Sequence, residues 1–293
     1  MSAVPRGTAR VTVSSFAALK ESGTPIVVVT AYDAPGARVA EEAGVDAILV
    51  GDSLGMTVLG YDSTLPVTMD DMVRHTAAVS RATSHAMVVA DMPFGSYQAS
   101  DDDAVTNAAR LLAAGGAAAV KIEGGVTVAP LVERLVSCGI PVMGHIGLTP
   151  QSVHAFGGYR VQGRGTDAAL ALVGDALALE EAGAFAVVLE LVPAELAAII
   201  TEELTIPTIG IGAGGFCDGQ VQVFHDLLGL GTFTPRHARQ YVDAGAAIKD
   251  ALGAYAADVR SGAFPSEEHL THLAEEVLGE LETALPPTEG DDL

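Results

Sequence analysis

Tryptophan is absent from this chain, cysteine occurs twice and lysine three times. Each scarcity excludes something. Cys138 and Cys217 form no CxxC pair, so neither a disulfide framework nor a zinc site is expected, and a reduced, cytoplasmic setting follows. Positive charge is short: 15 Lys and Arg face 37 Asp and Glu, a formal net charge of −22. Phosphate-backbone binding needs clustered Lys and Arg, so nucleic acid is not an expected partner. Adhesion to anionic membranes is disfavoured for the same reason. No apolar run approaches the ~20 residues that cross a bilayer. The N-terminus carries Arg6 and Arg10 but lacks the apolar core of a signal peptide. What is present is apolar: 49% of 293 residues are hydrophobic, too many for a disordered chain despite the charge.

The acidity is unevenly placed. From Ser261 to Leu293 there is no Lys or Arg, but Glu267, Glu268, Glu275, Glu276, Glu280, Glu282, Glu289, Asp291 and Asp292 all occur. Residues 1–265 are therefore expected to form one domain. Residues 266–293, with Pro286-Pro287 near their end, are expected to be an acidic, partly disordered tail.

Short apolar runs recur: Ile26–Thr30, Ala47–Asp52, Met87–Asp91, Ala118–Glu123, Val142–Gly147, Ala186–Leu191, Thr208–Gly212 and Val221–Asp226. Most are nearly continuous in apolar residues, as strands of a parallel sheet buried on both faces should be. Helix-period stretches fill most gaps, at Asp70–Arg81, Asp101–Ala114, Asp167–Ala182 and after Pro193. Ser14–Glu21 precedes the first strand as a possible cap on the barrel bottom, and Pro235–Arg260 reads as helix after the eighth. Joints such as Ala43-Gly44-Val45 and Ala182-Gly183-Ala184 place Gly just past a helix end. The pattern predicts an α/β fold, a (β/α)8 TIM barrel, with a doubly wound open sheet as the structural alternative.

Barrel enzymes carry their chemistry at the C-terminal ends of strands. Read there, the sequence gives Asp52, Asp91, Lys121 with Glu123, His145 and Glu190. Asp52 and Asp91 could each cap a loop, or they could share a hard cation such as Mg²⁺, which takes one or two carboxylates. Alternation sets Val50 with Asp52, and Val89 with Asp91, on common faces. Lys121 lies inside a strand, where an unpaired Lys is rare. It reads as a structural ion pair, an anion-binding ammonium or a Schiff-base amine, and its acidic neighbours favour the second. Glu190 is either an ion-pair partner or a general base whose pKa burial would raise. His145 could equally be a satisfied core histidine. Gly210-Ile211-Gly212-Ala213-Gly214-Gly215 suggests a nucleotide only weakly, and a tight loop accounts for it as well. Periodicity and composition thus suggest a divalent-metal barrel enzyme for a small carboxylate or keto substrate.

At these residues the sequence resembles the ketopantoate hydroxymethyltransferase family over roughly residues 10–270. The matching runs include Thr30-Ala31-Tyr32-Asp33, Val50-Gly51-Asp52-Ser53-Leu54-Gly55-Met56, Asp62-Ser63-Thr64-Leu65-Pro66-Val67-Thr68 and Val120-Lys121-Ile122-Glu123-Gly124-Gly125. Gly144-His145-Ile146-Gly147-Leu148-Thr149-Pro150-Gln151-Ser152, Phe156-Gly157-Gly158-Tyr159-Arg160 and Pro265-Ser266-Glu267-Glu268-His269 continue the match. The resemblance implies a TIM barrel of the phosphoenolpyruvate mutase/isocitrate lyase type. It implies hydroxymethyl transfer from 5,10-methylenetetrahydrofolate to 3-methyl-2-oxobutanoate, giving 2-dehydropantoate for pantothenate and coenzyme A synthesis through a Mg²⁺-stabilised enolate. It also implies a homo-oligomer, a decamer. By the same resemblance Asp52 and Asp91 bind Mg²⁺ with Glu123 close by, and Ser53 and Lys121 contact the keto acid. Glu190 accepts the proton, and Tyr32 and His145 line the pocket. Cys217 is a departure, since a polar residue is expected there. The alternatives are a Mg²⁺-dependent carbon–carbon lyase or mutase, which should carry a catalytic Cys on a loop, and a non-catalytic barrel scaffold.

Overall fold

The computed structural model describes residues 9–231 and 233–285. Eight parallel strands close into a barrel in sequential order: β1 (Ile26–Thr30), β2 (Ala47–Val50), β3 (Met87–Asp91), β4 (Ala119–Glu123), β5 (Val142–Gly147), β6 (Ala186–Glu190), β7 (Thr208–Ile211) and β8 (Gly219–Gln222). The seam closes where β8 pairs with β1, Val221 opposite Val28. Gly219 is required there, because a Cβ would stand 2.5 Å from the Ile26 carbonyl oxygen.

Helices surround the strands: α1 (Val13–Glu21), α2 (Ala34–Glu42), α3 (Leu54–Thr57), α4 (Met69–Ala82), α5 (Asp101–Ala113), α6 (Ala129–Ser137), α7 (Val153–Phe156), α8 (Thr166–Glu181), α9 (Ala194–Glu203) and α10 (Phe224–Leu228). The strand faces sort into two clusters. Val28, Ala47, Leu49, Met87, Val89, Ala119, Met143, Val188 and Ile209 fill the barrel interior. Ile48, Val50, Val88, Val120, Val142 and Val187 pack outward with helix residues such as Met72, Leu111 and Leu179. Burial on both faces is what the unbroken apolar strands encode. The expected cap is α1: its Phe16 is fully buried in the interior cluster and meets Phe185 edge-to-face at 5.8 Å.

Three expectations change in detail. The eighth strand begins and ends earlier than Val221–Asp226. Beyond Gln222 the chain leaves the ladder: Phe224 N–H donates to Thr30 Oγ1 at 2.9 Å and α10 begins. No helix separates β7 from β8. The helix expected over 235–260 starts only at Ala244, where the Asp243 carboxylate caps Ala246 N–H at 3.0 Å. Residues 233–243 run without helix.

The chain divides into two compact units, residues 1–242 and 243–293. The second contains α11 (Ala244–Ser261) and α12 (Glu275–Ala284). Within it the Phe264 ring meets Tyr255 at 5.6 Å and His269 at 4.9 Å. Part of the acidic tail is thus helical, while Pro286-Pro287 and Glu289 to Asp292 lie outside the described residues. No helix among the described residues is long and apolar enough to cross a membrane.

Candidate active site

A cavity of about 690 Å³ opens at the C-terminal ends of the strands. Asp52, Ser53, Asp91, Lys121, Glu123, His145 and Glu190 all line it. Strand register explains the convergence. Asp91 pairs with Lys121 across β3 and β4, and Glu123 with His145 across β4 and β5. Lys121 and Glu123 continue the interior face of Ala119, and Asp91 that of Met87 and Val89. Asp52 arrives differently from its expected alternation. Val50 packs outward, β2 ends there, and the turn that follows brings Asp52 to the cavity.

Lys121 Nζ lies 2.9 Å from Asp91 Oδ1. The other oxygen of Asp91 accepts from the Asp52 backbone N–H at 3.0 Å. Three buried carboxyls, those of Asp52, Asp91 and Glu123, thus face one buried ammonium. Burial first, then the charges of Asp91 and Glu123, push the Asp52 carboxyl well above its usual range. Burial also raises Asp91, outweighing Lys121. Glu123 is held low: burial opposes its ionisation, but contacts with His145, Lys121 and the Gln151 amide prevail. When all three carboxyls are ionised they exceed Lys121 by two negative charges, which a divalent cation would balance. The donors are all oxygen, as Mg²⁺ prefers, and Mg²⁺ needs only one or two carboxylates. Among the described residues no three His, Cys, Asp or Glu side chains form a ready ligand cage.

His145 stands between two carboxylates, with Nδ1 3.5 Å from Glu123 and Nε2 3.3 Å from Glu190. Burial and Lys121 work against its protonation, while the two carboxylates favour it. The distances favour the neutral ring instead. Nδ1 lies 3.1 Å from Lys121 Nζ, closer than to Glu123, and only an unprotonated nitrogen can accept from an ammonium. Nε2–H then faces Glu190. Glu190 is the least buried acid of the set, its side chain 16% exposed where that of His145 is 3%.

Ser53 lines the cavity, whereas Tyr32 stands one layer back. Its hydroxyl meets Ser53 Oγ at 2.9 Å, and burial pushes its pKa up. Two residues escaped the sequence reading. Gln151 donates from Nε2 to Asp52 Oδ2 and to the Met92 carbonyl, both at 2.9 Å, while its backbone N–H donates to Glu123 Oε2 at 2.9 Å. Tyr97 donates to Gln151 Oε1 at 2.8 Å. The Gln151 signal lay in the His145–Ser152 run, but a neutral amide says nothing alone about which carboxylate it serves.

The Gly-rich run is a tight loop. A Cβ on Gly212, at φ +64°, would stand 2.6 Å from Leu191, and one on Gly214, at φ +79°, 2.5 Å from Ala194. Cys217 precedes β8, at the end of the barrel remote from the cavity. It sits half-buried with its thiol pKa raised by burial. Neither cysteine lines the cavity, which leaves the lyase alternative without its loop thiol.

The model of the ketopantoate hydroxymethyltransferase family matches residues 10–267. The chain belongs to that family. It is 58% identical over 270 residues to the 3-methyl-2-oxobutanoate hydroxymethyltransferase of Carboxydothermus hydrogenoformans, covering 92% of this chain and 98% of that one. Among solved structures, the phosphoenolpyruvate phosphomutase of Streptomyces platensis subsp. rosaceus superposes with a TM-score of 0.58 at 17% identity, covering 93% of this chain and 95% of that one. A 2,3-dimethylmalate lyase of the PEP mutase/isocitrate lyase superfamily gives 0.57 at 19% identity, covering 94% and 95%. At such identities the two structures support the barrel type alone.

Proposed function

We propose that this member of the ketopantoate hydroxymethyltransferase family transfers the one-carbon unit of 5,10-methylenetetrahydrofolate to 3-methyl-2-oxobutanoate, forming 2-dehydropantoate. The observation that carries the reading is the family match over residues 10–267, whose motif residues line one cavity.

The residues divide the work by position. Asp52 and Asp91 would hold a Mg²⁺ ion, with Glu123 and the Gln151 amide fixing their surroundings. When bound, that ion supplies Lewis acidity to the ketone of the 2-oxo acid. Lys121, an ammonium in a buried acidic setting, offsets the substrate carboxylate and the charge that develops as C3 loses its proton. Ser53 donates to the same substrate, and Tyr32 orients Ser53. Glu190 takes the C3 proton. His145, whose Nε2 stands 3.3 Å from Glu190, holds that carboxylate in place. C3 then bonds to the methylene carbon, both methylene–nitrogen bonds break, water supplies the hydroxyl oxygen, and the C3 proton and the proton left from that water go to the two nitrogens as tetrahydrofolate leaves. The lining, mostly apolar beyond these groups, keeps bulk water from competing. This chemistry belongs to the cytoplasm, and we assign the protein there as a homo-oligomer, a decamer, by its family.

The test is direct. Purified protein with both substrates and Mg²⁺ should form 2-dehydropantoate, detected by mass spectrometry. Absence of product under these conditions would contradict the reading. Cleavage of 2,3-dimethylmalate instead would favour the lyase alternative.

A further inference from the structure

Strand alternation breaks at the mouth of the barrel, at the end of β6. Val188 fills the interior and Leu189 packs outward with the helices. Glu190 returns to the inner face and lines the cavity. Alternation would send Leu191 outward, after Leu189, yet Leu191 lines the same cavity. The two neighbours share one side because the backbone turns at Leu191. Its φ is +47°, and among the described residues it is the only residue other than glycine with positive φ. A bulky side chain rarely adopts this region, and such strain persists only where the surroundings enforce it.

Here they do. The Glu190 carbonyl accepts from Leu148 N–H at 2.8 Å. Leu191 N–H donates to the Ile211 carbonyl, and the Leu191 carbonyl accepts from Gln162 N–H, both at 2.9 Å. Segments after β5, at the end of β7 and before α8 thus pin one turn. Two glycines leave room for it. A Cβ on Gly147 would collide with the Glu190 carbonyl, and one on Gly212 would stand 2.6 Å from Leu191 Cδ2.

The turn has a chemical consequence. It sets an apolar side chain directly beside the carboxylate that takes the C3 proton. The oxo acid has a polar head, its carboxylate and ketone, and an apolar end where C3 carries two methyl groups. Asp52, Asp91 and Lys121 suit the head and offer the methyls nothing. A hydrogen and two methyls compete for the place facing Glu190, so something apolar next to that acid must receive the methyls.

We infer that Leu191 is the specificity-determining residue for the branched end of the oxo acid. Its isobutyl group packs on the C3 methyls and turns the C3 proton toward Glu190. The inference rests on the transferase reading above and deepens it.

Deuterium uptake at C3, with Mg²⁺ and no folate, tests it on two acids. One is 3-methyl-2-oxobutanoate, and the other, 3-methyl-2-oxopentanoate, carries one more methylene on C3. A methylene in an apolar pocket is worth about 10–200-fold in kcat/KM, so native protein should prefer the shorter acid at least tenfold. Leu191→Ala should cut that preference at least about fivefold, by admitting the longer acid. Its Mg²⁺ affinity, read by calorimetry, should stay within twofold of native. Leu191→Gly tests the backbone. Glycine adopts φ +47° freely, so it should melt above Leu191→Ala, the reverse of the order within an extended strand. Equal exchange of the two acids by native protein would overturn the inference without any variant. An unchanged preference in Leu191→Ala, or a higher Tm for Leu191→Ala than for Leu191→Gly, would overturn it as well. A native protein that forms no 2-dehydropantoate overturns the transferase reading instead.

Discussion

At Asp52 the proposed metal-binding role would carry a cost in stability. Its carboxyl is buried beside Asp91 and Glu123, and its folded pKa lies well above the value of ~3.9 it would have unfolded. The folded state therefore binds a proton that the unfolded state releases. Its contribution to stability is intact below pH ~4 and is lost as pH rises toward the folded pKa. Asp52→Asn should accordingly raise Tm at neutral pH by a few degrees, about 1 kcal/mol being worth roughly 2–4 °C in a domain of this size. The gain should vanish below pH ~4. Mg²⁺ at a hundred times its Kd should stabilise the native protein by about 2.7 kcal/mol and leave Asp52→Asn unmoved. Calorimetry with and without Mg²⁺ reads both effects, and a lower Tm for Asp52→Asn at neutral pH would contradict them. Gln151 supports the opposite expectation. Gln151→Leu strips a donor from Asp52 and from the Met92 carbonyl and takes the nearest acceptor from the Tyr97 hydroxyl, which keeps only the Glu123 backbone at 3.3 Å, a loss of about 1–3 kcal/mol. Titration should also show weaker Mg²⁺ binding, and an unchanged affinity would remove Gln151 from the positioning role.

The elements were legible in the sequence to the extent that packing is local. Seven strands fall within a residue or two of their apolar runs, because burial on both faces demands continuous hydrophobicity. The eighth did not, because its end is set by Thr30, nearly 200 residues away, which draws Phe224 N–H out of the ladder. The missing helix before Ala244 has a local cause in the Asp243 cap, a signal easily lost beside the apolar period. Strand-end acids were legible because each is a polar residue closing an apolar run. Gln151 was not, since its role exists only once β2, β4 and the loop after β5 meet. At this scale the bottom cap is decisive. Phe16 is fully buried among the strand starts. Phe16→Ala should cost about 3–5 kcal/mol, read by urea denaturation, as large core truncations do. A loss under about 1 kcal/mol would mean α1 is dispensable to the barrel.

At the scale of the molecule, the acidity of −22 separates into parts with different physics. Nine acids lie beyond Ser261. Replacing Glu275, Glu276, Glu280 and Glu282 by Gln should leave kcat within about twofold, because charges this exposed are screened within a Debye length of about 8 Å. The acids that matter are few and buried, set around Lys121, one of three lysines in the chain. Their proposed purpose is to remove one proton from one carbon. That step can be isolated: incubate the protein with Mg²⁺ and 3-methyl-2-oxobutanoate in deuterium oxide, without folate, and follow the C3 proton by NMR. Native protein should exchange it, and Glu190→Gln should slow exchange at least a hundredfold while still binding Mg²⁺. Full exchange by Glu190→Gln, or none by the native protein, would contradict the account.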